Sequence, residues 1–180
     1  MKDYGVDVDW RPFELHPELP PEGGSLGYSP KRTEGFRAHI RQMAAEGGLE
    51  MNFRDKVSNS RLALEATEFA REQGRDKFED FHRGVMDAYW RDGRNIGDVE
   101  VLVDVGTKVG LDSQGLREAL ADRRYAQAIE AQIDFGRQAG INAVPAFIFD
   151  DKYLIEGAQP YEVFQRVIQQ HVLPGRQAEG

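Results

Sequence analysis

The chain has 180 residues and no cysteine, with 31 acidic against 23 basic side chains and a net charge of −8. A chain of this length buries a core without staples, and the lack of thiols excludes disulfides, thiolate catalysis and thiolate-held metals within it. The acidic balance excludes a general nucleic-acid binder, which needs a basic face.

No window approaches the roughly 18 apolar residues that suggest a bilayer span, so no membrane role is expected. The N-terminus shows no apolar signal core, which makes the cytoplasm the default location. His16, His39, His82 and His171 are too scattered for a local metal motif, and neither metal nor cofactor is expected.

Val6 to Arg11 alternates apolar and polar residues, the period of a strand with one wet face. Pro17, Pro20, Pro21 and Gly23-Gly24 then exclude a strand, so Leu15 to Pro30 reads as a loop, packed by Leu19, Leu26 and Tyr28 or put to functional use. From Thr33 the period becomes helical, with a stripe of Phe36, Ile40, Met43 and Ala44, and Gly47-Gly48 end that helix. Leu49 to Phe53 reads as a connector anchored by its three apolar side chains.

Ser58 or Asn59 caps the next helix, whose inward face is Leu62, Ala66, Phe69 and Ala70. Phe78, Phe81, Val85 and Tyr89 predict a third helix ending near Trp90 to Gly93. Asp98 caps a fourth, Val99 to Val109, and Asp112 or Ser113 opens a fifth. The sixth runs from about Asp122 to Ala139, with Tyr125, Ile129 and Ile133 inward and Gly140 as its terminator.

Gly140 to Pro145 then leads into the apolar run Ala146–Phe149, which is apolar on both faces, as in a strand covered on both sides. A turn at Asp150-Asp-Lys152 and a second short strand, Tyr153–Glu156, follow. Pro160 opens a last helix with Val163, Phe164, Val167 and Ile168 buried. Pro174 to Gly180 reads as a disordered tail. The order strand, loop, helical block, strand, strand, helix is α/β with an all-helical insertion. One sheet must then be built from distant segments, with residues 1–30 and 140–173 in its subdomain and 31–139 in the insertion.

Six stretches carry a resemblance. They are Trp10-Arg-Pro-Phe-Glu-Leu15, Gly48-Leu-Glu-Met-Asn-Phe53, Gly93-Arg-Asn-Ile-Gly-Asp98, Val109-Gly-Leu-Asp112, Gly140-Ile-Asn-Ala-Val-Pro-Ala-Phe147 and Gly157-Ala-Gln-Pro160. In this order they resemble the DsbA-like thioredoxin superfamily, specifically its FrnE-type thiol–disulfide oxidoreductases, over nearly all of residues 6–170. The resemblance implies a thioredoxin-like sheet and a cis Val144–Pro145 bond facing the thiol site. It also implies that a central strand, a Cys-X-X-Cys motif and its helix stand before the Val6 strand. Those parts have no counterpart here, so the chain reads as an N-terminally truncated member, inactive alone. Two further readings stay open: a non-redox peptide- or glutathione-binding module, and a relative of glutathione-dependent isomerases and kappa-class transferases.

The resemblance places substrate contacts at Ala143, Val144 and Pro145, where backbone meets an extended peptide or thiol ligand in the manner of an added strand. His16, in Glu14-Leu-His-Pro17, stands where related glutathione-binding proteins contact their ligand, and the plain alternative is a surface histidine. Trp10 reads as packing, and Tyr89-Trp90 with Arg91 to Arg94 either packs or lines a cleft. A missing central strand would leave two unpaired edges, and unpaired ladder groups recruit other chains, so self-association is expected. No G-x-G-x-x-G, P-loop, H-E-x-x-H or nucleophile elbow occurs. Ser58 and Ser60 have no nearby base in sequence, and Asp150-Asp151 are turn residues.

Overall fold

A computed structural model describes residues 4–27 and 30–178. The chain divides into two compact units, one of Met1–Leu15 with Ala131–Gly180 and one of His16–Glu130.

In the second unit, α1 (Pro30–Glu46), α2 (Arg61–Glu72), α3 (Arg75–Trp90), α4 (Val99–Lys108) and α5 (Ser113–Ala121) follow one another, and α6 (Ala126–Gln138) begins there. Side-chain caps set several starts. Asp98 accepts from the Glu100 amide, Asp112 from the Gln114 and Gly115 amides, and Asn59 from the Arg61 amide at 2.9 Å. Ser60, at the cap position of α2, makes no such bond. Ala66, Phe81, Leu102 and Leu116 are fully buried at the centre of one cluster built from α2 to α5. Gly84 lets α4 approach: a Cβ there would stand 2.8 Å from a Val105 methyl.

One charge lies in this core. Glu65 is wholly buried and takes bonds of 2.9 Å from Arg123 Nε and 2.6 Å from Arg123 Nη2. Arg123 has φ 54, so the backbone turns left-handed there and α6 begins at Ala126, not at Asp122.

Segments between the helices are tied down by hydrogen bonds more than by apolar side chains. Gly24 and Val57 exchange two backbone bonds of 2.8 and 2.9 Å, and Leu19 is buried beside them. A Cβ on Gly23 would stand 2.5 Å from the Val57 carbonyl, so only glycine fits at this crossing. Leu49, expected as an anchor, is 67% exposed. The connector is held instead by Asn52, whose amide and side chain donate to the Trp90 and Arg91 carbonyls, and by Arg54, whose guanidinium donates to those of Gly93 and Arg94. The stripe on α1 is also less covered than expected: Ala44 is buried, but Phe36 is 63% exposed and Met43 lies open to solvent. Tyr28 lies outside the described residues.

In the first unit, β1 (Ala146–Phe149) and β2 (Tyr153–Glu156) form an antiparallel hairpin, with Phe147 opposite Ile155 and Ile148 opposite Leu154. Asp150 and Asp151 turn it at φ 48 and 54, a conformation that short polar side chains tolerate. α7 (Tyr161–Val167), a π-helical turn (Ile168–Val172) and α8 (Leu173–Ala178) continue without a break. Ile168 and Val172 pack on Phe149 and Ile155, and Phe147 meets Phe164 edge to face at 4.8 Å.

Three expectations are corrected here. The Val6–Arg11 segment is not a strand: among the described residues the sheet contains β1 and β2 alone, so it is a local hairpin and not assembled from distant segments. Alternation decides which side chains face inward but supplies no ladder partner. This segment is held through side chains, with Tyr4 and Val6 on the Ile168 cluster and the Phe13 ring 3.4 Å from the Cβ position of Gly136. Second, the stretch from Pro174 is helical to Ala178, because the preceding helix simply continues; residues 179–180 lie outside the described residues. Third, β1 is not covered on both faces, since Ile148 is 41% exposed.

Candidate functional site

Gly140 sits at φ 81 beyond the end of α6 and turns the chain toward the hairpin. The Asn142 side-chain amide donates to the Gly140 carbonyl at 2.8 Å, which folds the start of the loop on itself. Ala143, Val144 and Pro145 follow, all exposed, and the Val144–Pro145 peptide bond is cis. The far end of the loop is pinned by the Gly157 amide, which donates to the Pro145 carbonyl at 2.7 Å. Between these fixed ends, the Val144 amide and carbonyl enter no hydrogen bond among the described residues. The loop therefore presents an apolar side chain and two unused backbone groups immediately before a strand.

The structure brings Ala143, Val144 and Pro145 together in the first unit. His16 belongs to the other unit, where its Nδ1 lies 3.1 Å from Glu18. A backbone hydrogen bond at Glu18 and then the His16 contact hold the Glu18 carboxyl below its usual range.

Of the other positions weighed from the sequence, Trp10, expected to pack, is 47% exposed, while Tyr89, Trp90, Arg94 and Ser58 have structural work. Trp90 meets Phe53 edge to face at 5.7 Å, and Arg54 lies over the Tyr89 ring at 5.2 Å. Burial raises the Tyr89 phenol, with Arg54 opposing. Arg94 pairs with Asp104, and the Ser58 hydroxyl accepts from Arg54. Among the described residues no group of three or more His, Asp or Glu is placed to hold a metal ion.

Sequence reasoning did not single out a cavity of about 250 Å³ beside β1, lined by Tyr4, Phe147, Gln159, Tyr161, Phe164, Gln165 and Ile168. Gln165, one of its lining residues, and Gln169 donate to the Tyr4 hydroxyl at 3.2 and 3.1 Å. Nothing local forecasts this contact, because its partners are separated by more than 160 positions along the chain.

The description "DSBA-like thioredoxin domain" matches residues 1–169. The chain belongs to that family. A crystal structure of the probable DsbA oxidoreductase SCO1869 from Streptomyces coelicolor is 30% identical to it. That similarity has a TM-score of 0.79 and covers 92% of this chain and 75% of the other. The uncharacterized protein YwbO of Bacillus subtilis (strain 168) is 32% identical over 171 residues, 93% of this chain and 84% of YwbO. The ClpXP adapter protein SpxH of the same organism is 20% identical over 132 residues, 70% of this chain and 44% of SpxH. The protein is thus a member of the DsbA-like oxidoreductase family with a mixed α/β fold of high helical content, and its sequence holds no cysteine.

Dithiol exchange needs a thiolate to attack a disulfide and a second thiol to resolve the mixed intermediate. This DsbA-like chain supplies neither. What it does supply is the loop before β1. No helix among the described residues is long and apolar enough to cross a membrane.

Proposed function

We propose that this chain is a FrnE-type, cytoplasmic member of the DsbA-like family that recognises an extended peptide at Ala143–Pro145 and performs no dithiol exchange by itself. The observation that carries this reading is the unengaged Val144 backbone, held between two hydrogen-bonded anchors. An extended peptide laid along such a loop pairs main chain to main chain and gains affinity with little sequence demand, while the exposed Val144 side chain adds apolar contact.

Two measurements test it. Titration of labelled protein with an unstructured apolar peptide, followed by NMR, should shift the amides of residues 140–146 saturably; no saturable change in that stretch overturns the peptide reading. A parallel titration with glutathione separates the two ligand classes, and saturation by glutathione alone moves the assignment to a glutathione-binding module. An insulin-reduction assay should show no turnover by the 180-residue chain, and turnover would contradict the second half of the proposal.

A further inference from the structure

Another cavity, of about 310 Å³, lies at the far end of β1 from the Val144–Pro145 loop. That volume falls within the roughly 300–1,000 Å³ of small-molecule sites. Its walls come from the hairpin turn, Asp150 to Tyr153, and from His171 and Val172 on the π-helical turn. Tyr153 opens β2 and packs against the Phe149 cluster, which holds its ring in place. The His171 ring lies 5.2 Å from it, with the two planes 36° apart. The turn that carries His171 is of a rare kind that recurs at functional sites. Val172, 1% exposed, gives the cavity an apolar floor. Asp150 and Asp151 bring two exposed carboxylates to the same cavity, on a turn closed by the Lys152 amide, which donates to the Phe149 carbonyl at 3.0 Å.

We propose that this cavity binds a small organic cation of the alkylammonium class. Two carboxylates against the one ammonium of Lys152 leave its rim negative, and a chain of net charge −8 draws cations toward it. An aromatic ring attracts an alkylated ammonium through its quadrupole. The methyl groups of such a cation also gain apolar contact with Tyr153, His171 and Val172. A bare metal ion would use neither contact, and among the described residues no group of three or more His, Asp or Glu is placed to hold one. An anion of similar size would meet both aspartates. About 17 Å of strand separates Pro145 from Asp150, so a ligand of a few heavy atoms cannot touch both ends. The site is therefore independent of peptide recognition at Ala143–Pro145, and each reading stands or falls by its own titration.

Tetramethylammonium chloride is the probe, followed by NMR of the labelled 180-residue chain. The amides of residues 150–153 and 171–175 should shift saturably, and sodium chloride at equal ionic strength should not reproduce those shifts. tert-Butanol, neutral and of similar shape, should bind about fivefold more weakly or worse, because it lacks the charge that the rings and carboxylates attract. Asp151→Asn removes one carboxylate at a position, φ 54, that asparagine tolerates, so the turn is kept. In that variant tetramethylammonium should bind about threefold more weakly. The proposal is overturned by any of four results: no saturable shift at the cavity, the same shifts with sodium chloride, equal binding of tert-butanol, or an Asp151→Asn variant that binds as tightly as wild type.

Discussion

In the helical unit, the fully buried residues Ala66, Phe81, Leu102, Leu116 and Ala119 come from four successive helices and close around one another. In the hairpin unit the buried cluster is Phe149, Ile155, Ile168 and Val172, while Ile148, Leu154, Val144, Trp10 and Phe135 stay substantially exposed. A helix satisfies its own backbone, so α1 leaves only apolar area uncovered when Phe36 and Met43 meet solvent. A strand depends on a neighbour for its backbone bonds, and β1 finds its partner in β2. A two-stranded hairpin is marginal alone, and here α7 and the π-helical turn support one face of it. The two units therefore differ less in composition than in what remains uncovered.

Core truncation in each unit gives the largest expected contrast. Phe81→Ala should cost about 3–5 kcal/mol, and Ile168→Ala about 2–4 kcal/mol, in chemical denaturation. Equal losses at both sites, or a larger loss at Ile168, would break the picture of one closed core and one partial one.

Next comes the buried charge. Arg123→Ala leaves the Glu65 carboxylate buried without its ion-pair partner and should cost about 3 kcal/mol. Adding Glu65→Met to that variant should recover most of the loss, because an apolar side chain of similar volume belongs in this surround. A double variant no more stable than Arg123→Ala would show that the pair does more than satisfy itself.

The smallest effect is a titration. Burial and then the 2.6 Å bond to Glu72 push the Tyr125 phenol from 10.0 up to about 12. Folding favours the neutral phenol, so its contribution is complete below pH 10 and is lost as pH rises through about 12. The advantage of wild type over Tyr125→Phe should thus shrink by about 2 kcal/mol across that window. A difference that stays constant with pH would contradict it.

Much of this was legible along the chain because its causes are local. Asp98 and Asp112 cap helices two and three residues downstream, and Gly140 and Gly157 stand where the backbone turns left-handed. The Val144–Pro145 loop and its hairpin were legible for the same reason, through a proline, two turn-forming aspartates and two short apolar runs. Arg54 was not, since the carbonyls it binds are about forty positions away. Nor was the pairing of Glu65 with Arg123, which lie 58 positions apart.

From the sequence alone come the helices with their stops, the hairpin, the exposed X-Pro loop before β1 and the lack of any thiol, since each rests on hydrogen bonding or chemistry within a few residues. Tertiary structure alone decided that Val6–Arg11 makes no ladder among the described residues and that Phe36 and Ile148 face solvent. Periodicity records which side chains share a face. Whether another element lies against that face, or along that edge, depends on distant segments and their packing.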